Sequence, residues 1–493
     1  MKRTLCPFHA RTNLRRALVA LIALGAMATA ADATPSARPQ IGGTLRVEMS
    51  ERIASIDPRQ WPSAPAQSAA ADRVESLIFD RLVKFDEHGS LQPALARSWQ
   101  HDEPSKRWEF RLREGVKFSD GTLLTAPIAA LALQQLLGAS FDVSATPDSV
   151  VIQAEHSIPD FPVQLATGRY FIFNRGEDNS LTGTGPFRVA EWPAAEGPGR
   201  ASFVANIGCW AGRPFVDKIE LAMGVDFQRQ ANAISFGQAD VVELPASQVR
   251  RAAQRGVRAA SSDPVQLFAL VFDGSRPAVQ DAHVRQAISL AINRASIADV
   301  ILQKQGIPAG GLLPNWISGY AHLFPAMSDL PRARDLLPAS AREQFRSMPL
   351  VLFYDSGDAE ARAIAERVSV NLREVGVMVQ ASGQIADSKA KLSVADLRLV
   401  RLRMAAPDPA TALSDLLLPG SLDEAETNLE TPEQIYAAER ALIDSFRVIP
   451  LVHVSENYGL SPQVRDWMAP RWGGWKLEDV WLGPPSAAGG NSP

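Results

Sequence analysis

Hydrophobic and polar positions follow two periods along this chain. Trp108-Glu109-Phe110-Arg111-Leu112-Arg113 alternates apolar and polar residues, the pattern of a strand with one buried face. Val74, Leu77, Ile78 and Leu82 recur at helical spacing and predict a helix within 72–85, ahead of a turn at His88-Gly89. Gly42 to Val47 opens an earlier strand that ends near Asp57-Pro58. Ser119-Asp120-Gly121 is a turn, and Pro127 suits the first turn of the helix that follows it.

A second unit begins near Gly183, with strands at 186–192, 201–205 and 218–223 and a helix at 227–236. Val265 to Phe272 is nearly all apolar, as a strand buried on both faces is. Val284, Ala287, Ile288, Ala291 and Ile292 share one face of a helix predicted over 281–305. From about 330 to 450 a strand at 350–354, a helix at 358–375 and a strand at 377–379 predict a mixed α/β sheet. A strand at 394–404, a helix at 432–446 and a strand at 448–454 complete it; the Pro/Gly/Ser-rich tail 484–493 is read as disordered, and no internal repeat is evident.

Composition narrows the function. With 46% hydrophobic and 21% charged residues the chain is globular. Its net charge of -4 advertises no nucleic-acid surface. Seven scattered His and two distant Cys suggest no metal cage. Lys2, Arg3, Arg11, Arg15 and Arg16 precede a short apolar run, Ala17 to Ala28, and the small-x-small steps Ala28-Thr29-Ala30 and Ala31-Asp32-Ala33. That is the pattern of a cleaved signal peptide over 1–30, and the run is too short to span a bilayer. Cleavage after Ala30 leaves a net charge of -9 and one cysteine, Cys209, so no internal disulfide forms. No Cys follows the apolar run, so the expectation is a periplasmic, soluble protein without a lipid anchor.

Several blocks resemble, in order, the peptide- and nickel-binding extracellular solute-binding proteins, family 5. Leu91-Gln92-Pro93-Ala94-Leu95-Ala96-Arg97-Ser98-Trp99 and Trp108 through Gly121 match the family's P-x-L-A-x-S-W and W-x-F-x-L-R-x-G-V-K-F-x-D-G signature. Gly183-Thr184-Gly185-Pro186-Phe187, Trp210 through Ile219, Val284 through Arg294, Asp408-Pro409, Ile449-Pro450-Leu451 and Trp481-Leu482 follow. The resemblance implies the two-lobed α/β fold of type II periplasmic binding proteins, large peptide-binding class, with mixed sheets and two hinge crossings. Lobe I would span 41–262 with an inserted subdomain at about 72–181, and lobe II 265–450. Residues 453–482 would return to lobe I, with crossings near 262–273 and 449–456. It also implies an ABC importer as partner, a peptide or similar small solute held in the cleft, a monomer, no cofactor and no catalysis. The alternative is a periplasmic sensor or interaction protein of the same fold that no longer serves transport.

The resemblance also places cleft candidates. Trp61 follows Asp57-Pro58 and reads either as a stacking wall or as a surface residue. Trp316 and Tyr320 occupy another cleft region, and aromatic walls with a few polar groups suit a small-ligand pocket. Peptide binders of the family often carry an amine-binding Asp three residues before the Asp-Pro step; here that position is Ala405. Met404 and Asp408 flank it, and Arg398, Arg401 and Arg403 precede it. Alternation puts Arg401 and Arg403 on one strand face, where they either meet an anionic ligand or pair with acidic neighbours. Trp99 and Trp108 read as packing residues, and Arg285 and Arg294 as partners of carboxylates. Gly183-Thr184-Gly185 lacks the spacing of a phosphate loop, and no G-x-S-x-G, H-E-x-x-H or C-x-x-C occurs. Asn293, Cys209 and Ala126-Pro127 depart from the family pattern.

Overall fold

The computed structural model describes residues 38–61, 65–176, 180–194, 199–272, 276–384, 395–404, 406–416, 429, 431–468 and 470–484. The expected signal peptide, Ala405 and all but the first residue of the 484–493 tail lie outside the described residues. Residues from Ile41 onward form one compact unit.

One mixed sheet runs through both lobes. Its strands stand in the order Phe187–Glu191, Arg200–Ala205, Lys218–Ala222, Thr44–Glu48, Val241–Leu244, Val448–Leu460, Arg258–Phe272, Leu397–Arg403, Leu350–Asp355, Val379–Gln384. Two long strands carry it from lobe to lobe. The first crossing strand, Arg258–Phe272, lies antiparallel to the second, Val448–Leu460. At one end Val241–Leu244 of lobe I pairs with Leu460 to Asn457, and at the other Leu397–Arg403 of lobe II pairs with Gln266 to Phe272. The ladder between the crossing strands slips on both sides of Pro264, which has no N–H to donate. Val265 and Leu267 to Leu270 are fully buried, as strands covered on both faces are.

Each lobe has its own core. Leu45, Val47, Phe187, Phe203, Ile219 and Leu221 build that of lobe I, and the return segment adds Trp475, Leu477 and Val480. Ile288, Leu350, Leu352, Ile364, Val368, Leu372 and Leu397 build that of lobe II. The insert has a third core around Trp108, Phe110, Leu133, Ile152 and Phe161, on the antiparallel sheet Ala96–His101, Arg107–Leu112, Ser149–Ala154, Phe141–Ala145. Trp108 is a packing residue, its indole N–H bonded to the Ile158 carbonyl at 3.2 Å.

Two helices differ from their sequence reading. The first runs Pro65–Glu75, earlier than 72–85, and Val83–Phe85 pairs instead as a strand with Leu91–Pro93. The 281–305 helix is broken. Ala282–Ala291 ends there, and Asn293 caps a new turn by accepting from Ser296 N at 2.9 Å. A capping side chain competes with continued helix, which apolar periodicity alone does not register. Arg285 and Arg294 take carbonyls rather than carboxylates. Arg285 donates to Ser445, Val279 and Gln280, and Arg294 to Pro450 and Ser289. Ser289 O, in the last turn, takes only a long 3.4 Å bond from the C-cap Ile292 N–H, and Arg294 Nη1 adds a second at 3.0 Å.

Gly183-Thr184-Gly185 is a packing device. A Cβ on Gly183 would sit 1.9 Å from Ile78 O, and Thr184 Oγ1 donates to Asp80 Oδ2 at 2.8 Å. These glycines let two chain segments touch.

Candidate functional site

A cavity of about 690 Å³ opens where the insert, lobe I and lobe II meet. The helix Pro65–Glu75 lays Ala69, Asp72 and Arg73 along one wall, positions that share a helical face, and Ser76 follows in the turn after it. Leu77, Phe79, Asp80, Arg81, Lys84 and Phe85 continue it, and Thr167, Gly168 and Phe171 stand beside them. Cys209, Trp210 and Arg213 close one end, Trp472 to Asp479 of the return segment form another side, and Arg403 reaches in from lobe II. A second groove of about 740 Å³, lined by Gln286, Arg294, Phe324, Tyr436 and Pro450, is drawn from lobe II alone. Only the first has walls that separate if the lobes part.

Aromatic rings frame this cavity. Trp61 and Phe79 stand 6.3 and 6.1 Å from Phe171, and the Arg81 guanidinium lies 3.8 Å over the Phe171 ring. Phe85 meets Trp472 edge-on at 6.0 Å. Beside that contact the His88-Gly89 turn abuts lobe II: a Cβ on Gly89 would fall 2.8 Å from Pro407 Cβ.

Most charges here already have partners. Arg81 pairs with Asp72. Asp80 accepts from Thr184 and, at 2.8 Å, from the Trp210 indole. Arg213 pairs with Asp217. Beneath the cavity runs a buried network that joins lobes and hinge. Arg403 Nε donates to Glu456 Oε1 at 2.6 Å; Glu456 Oε2 accepts from Gly474 N at 2.8 Å and Tyr458 OH at 3.3 Å. Tyr458 in turn accepts from Arg73, whose other Nη pairs with Glu243 at 2.9 Å. Glu243 also takes Ser50 N and Oγ. Burial alone would raise the Glu456 carboxyl, but Arg403 and Arg73 overcome it and hold the group at about 2. Burial outweighs any partner at Tyr458, whose phenol is pushed up. With two arginines facing two glutamates, the network adds no net charge to the cavity floor.

Three lining charges remain without a bonded partner among the described residues, Lys84, Lys476 and Asp479; Glu478 accepts from its own backbone N–H and lies within electrostatic reach of both lysines. Burial lifts Glu478 to about 6 and the Cys209 thiol to about 11. On the flank of the cavity helix, Glu75 is buried, its Oε2 lacks a hydrogen bond, and desolvation with Asp72 nearby raises it to about 8.

The sequence candidates divide. Trp61 and Arg403 line the cavity. Arg401, on the same strand face as Arg403, instead pairs with Asp358 at 2.9 Å and Glu360 at 2.8 Å and lies over Phe268. Met404 is buried among Leu402 and Leu413. Asp408 caps the helix Pro409–Leu416 by accepting from Thr411 N and Oγ1. Trp316 donates to the Pro264 carbonyl at 2.8 Å, at the hinge. Tyr320 packs on Tyr436 and Phe324, its phenol raised by burial beside Glu439. None of these five lines the cavity. Arg73, Arg81, Phe171, Trp472 and Trp475 do, and sequence reasoning missed them; Trp210 was read only as part of a motif. The crowding of tryptophan at 472 and 475 was the one available signal.

Comparison with known proteins agrees with this architecture. Residues 90–420 match the profile of bacterial extracellular solute-binding proteins, family 5 Middle. The Escherichia coli nickel-binding periplasmic protein is 26% identical over 417 residues, 76% of each chain. The probable D,D-dipeptide-binding periplasmic protein DdpA of the same organism is 23% identical over 75% of this chain and 74% of its own. Among solved structures, NikA from Brucella suis with Fe(III)-EDTA superposes with TM-score 0.76 at 19% identity, covering 90% of this chain and 100% of that one. The periplasmic binding protein DppA from Helicobacter pylori with the peptide STSA gives TM-score 0.75 at 16% identity, covering 90% and 99%. This chain belongs to the bacterial extracellular solute-binding proteins, family 5, and is a two-lobed binding component of an ABC importer.

Proposed function

We propose that the interlobe cavity captures a peptide or similarly polar small solute, and that the closed form delivers it to the importer's permease subunits. The carrying observation is the cavity itself. Its volume of about 690 Å³ falls in the range of small-ligand sites, aromatic rings supply stacking surface, and Lys84, Lys476, Glu478 and Asp479 offer both signs of charge. Charges of both signs along the wall suit a ligand that carries an amine and a carboxylate better than a simple anion. Two of the relatives above carry nickel and dipeptide in their names; a short peptide fits a cavity of this size and polarity, whereas among the described residues no group of three or more His, Cys, Asp or Glu could hold a bare metal ion, so a metal would have to enter as a chelate. The protein acts as an exported monomer in the periplasm after loss of residues 1–30, and it catalyses no reaction.

Thermal shift against peptides, amino acids, organic acids and metal chelates tests this. A solute present at about 100 times its Kd adds about 2.7 kcal/mol of stability. Trp61→Ala, which removes one ring of the wall, lowers the affinity of that solute about tenfold in calorimetry, or about 1.4 kcal/mol. If no solute raises the melting temperature of ligand-free protein, the transport reading fails.

A further inference from the structure

Residues 244–262 hold four arginines and no acidic residue, in a chain where acids outnumber bases, 54 to 50. The structure gathers these four on one surface. Helix Ala246–Gln254 turns Ala246, Val249 and Ala252 inward and carries Arg250 and Arg251 outward, with Arg255 as its C-cap. Arg258 opens the first crossing strand immediately after, and all four side chains are exposed. The half-buried Arg465 joins them from the short strand Val464–Arg465, which pairs with Trp481–Leu482 outside the main sheet. It depresses the Arg258 pKa, after burial, the larger cause, and Arg258 donates to Val464 O at 2.9 Å. No carboxylate pairs with any of the five among the described residues, although arginines elsewhere on the surface, such as Arg111, Arg213, Arg229 and Arg362, have one.

The helix is also held firmly. Its Ser247 N donates to Glu360 Oε1 of lobe II at 2.7 Å, while Val249, Ala252 and Val257 pack on Ala233, Ile234, Val242 and Leu244 of lobe I. The patch is therefore displayed on a fixed element at the junction of the lobes.

We propose that this patch docks the protein on an anionic phospholipid surface. The helix presents charge without a groove, an exposed large hydrophobic residue or a matching acid that would fix one orientation of a folded partner. Unpatterned positive charge fits a fluid sheet of phosphate headgroups, to which each arginine near the surface adds attraction within a Debye length. Because the rest of the chain is acidic, such a membrane repels most of the molecule and attracts this face, which orients the protein as it approaches.

Vesicle sedimentation of the processed protein, without residues 1–30, tests this, comparing neutral phosphatidylcholine with vesicles containing one-third phosphatidylglycerol. Wild type partitions onto the anionic vesicles at low salt and is released as salt rises. Arg250→Glu/Arg251→Glu/Arg255→Glu lowers that partitioning at least tenfold, and the corresponding Gln triple lowers it less, with unchanged melting temperatures. The control triple Arg111→Glu/Arg332→Glu/Arg346→Glu, exposed on elements of the insert and of lobe II, retains it. Equal loss in both Glu triples reduces the effect to net charge and overturns the proposal. So does the absence of preference for anionic vesicles. An unaltered vesicle affinity in the patch triple, with importer stimulation lost, overturns it in favour of an acidic protein partner.

Discussion

The two sides of the cavity are built on different terms. The side from lobe I and its insert supplies rings, paired charges and free charges: Trp61, Asp72, Phe79, Arg81, Lys84, Phe171 and Trp210. Lobe II contributes, among the described residues, Arg403 alone, and that side chain is already engaged by Glu456 of the hinge. Ligand choice is thus written mainly on the larger, insert-bearing side. Lobe II supplies the contact that completes the enclosure.

Arg401 and Arg403 allow that division to be broken. They share a strand face and are alike in sequence, yet one ties lobe II to itself and the other reaches the hinge. Arg403→Ala leaves Glu456 buried with less compensation and is expected to cost about 3–5 kcal/mol in urea unfolding. Its ligand affinity falls at least tenfold. Arg401→Ala, at a site open to some solvent, costs about 1–3 kcal/mol and leaves affinity within about twofold. Equal loss of affinity in the two variants contradicts the asymmetry of the walls.

Lys84→Ala combined with Lys476→Ala sharpens the comparison from the other side. Neither lysine has a bonded partner among the described residues, so stability moves by less than about 0.5 kcal/mol. Affinity for a carboxylate-bearing solute drops about tenfold in calorimetry, and affinity for its amide counterpart drops far less.

The insert-bearing wall also responds to pH. Glu75 sits at about 8 in the folded protein, above its ordinary value of 4.5, so the folded state holds this proton more tightly than the unfolded state does. Its contribution is whole below pH 4.5 and is lost as pH rises towards 8. Glu75→Gln keeps the neutral form throughout, so its melting temperature declines less than that of wild type between pH 5 and 8. His453, held at about 4 by burial, acts in the opposite direction: its neutral form stabilises above pH 6.5, and that stability fades as pH falls towards 4.

Much of the fold was legible because its signals are local. Alternation identified the strand around Trp108, and an unbroken apolar run identified the first crossing strand, though the run marks only its buried part and the ladder extends back to Arg258. The site was less legible, because strand parity places a side chain on a face but does not say which carboxylates face it. Arg401 and Arg403 obey the same parity and differ only in what the tertiary fold brings opposite: Asp358 and Glu360 in one case, Glu456 in the other. Arg73 gave no sequence signal at all. Its partners Glu243 and Tyr458 are remote in the chain and converge only through the sheet.

The slipped ladder at Pro264 has a mechanical consequence. A continuous sheet behaves as a torsion bar, and rotation of one end against the other concentrates where the bar is weakest. Here that compliant stretch is the few peptide units from Ser261 to Gln266, where register is lost twice and a proline donates nothing. Both cores then turn as stiff handles, and the frequency with which the receptor opens is set by this short segment. Amide protons flanking it are expected to exchange faster than those deeper in either lobe.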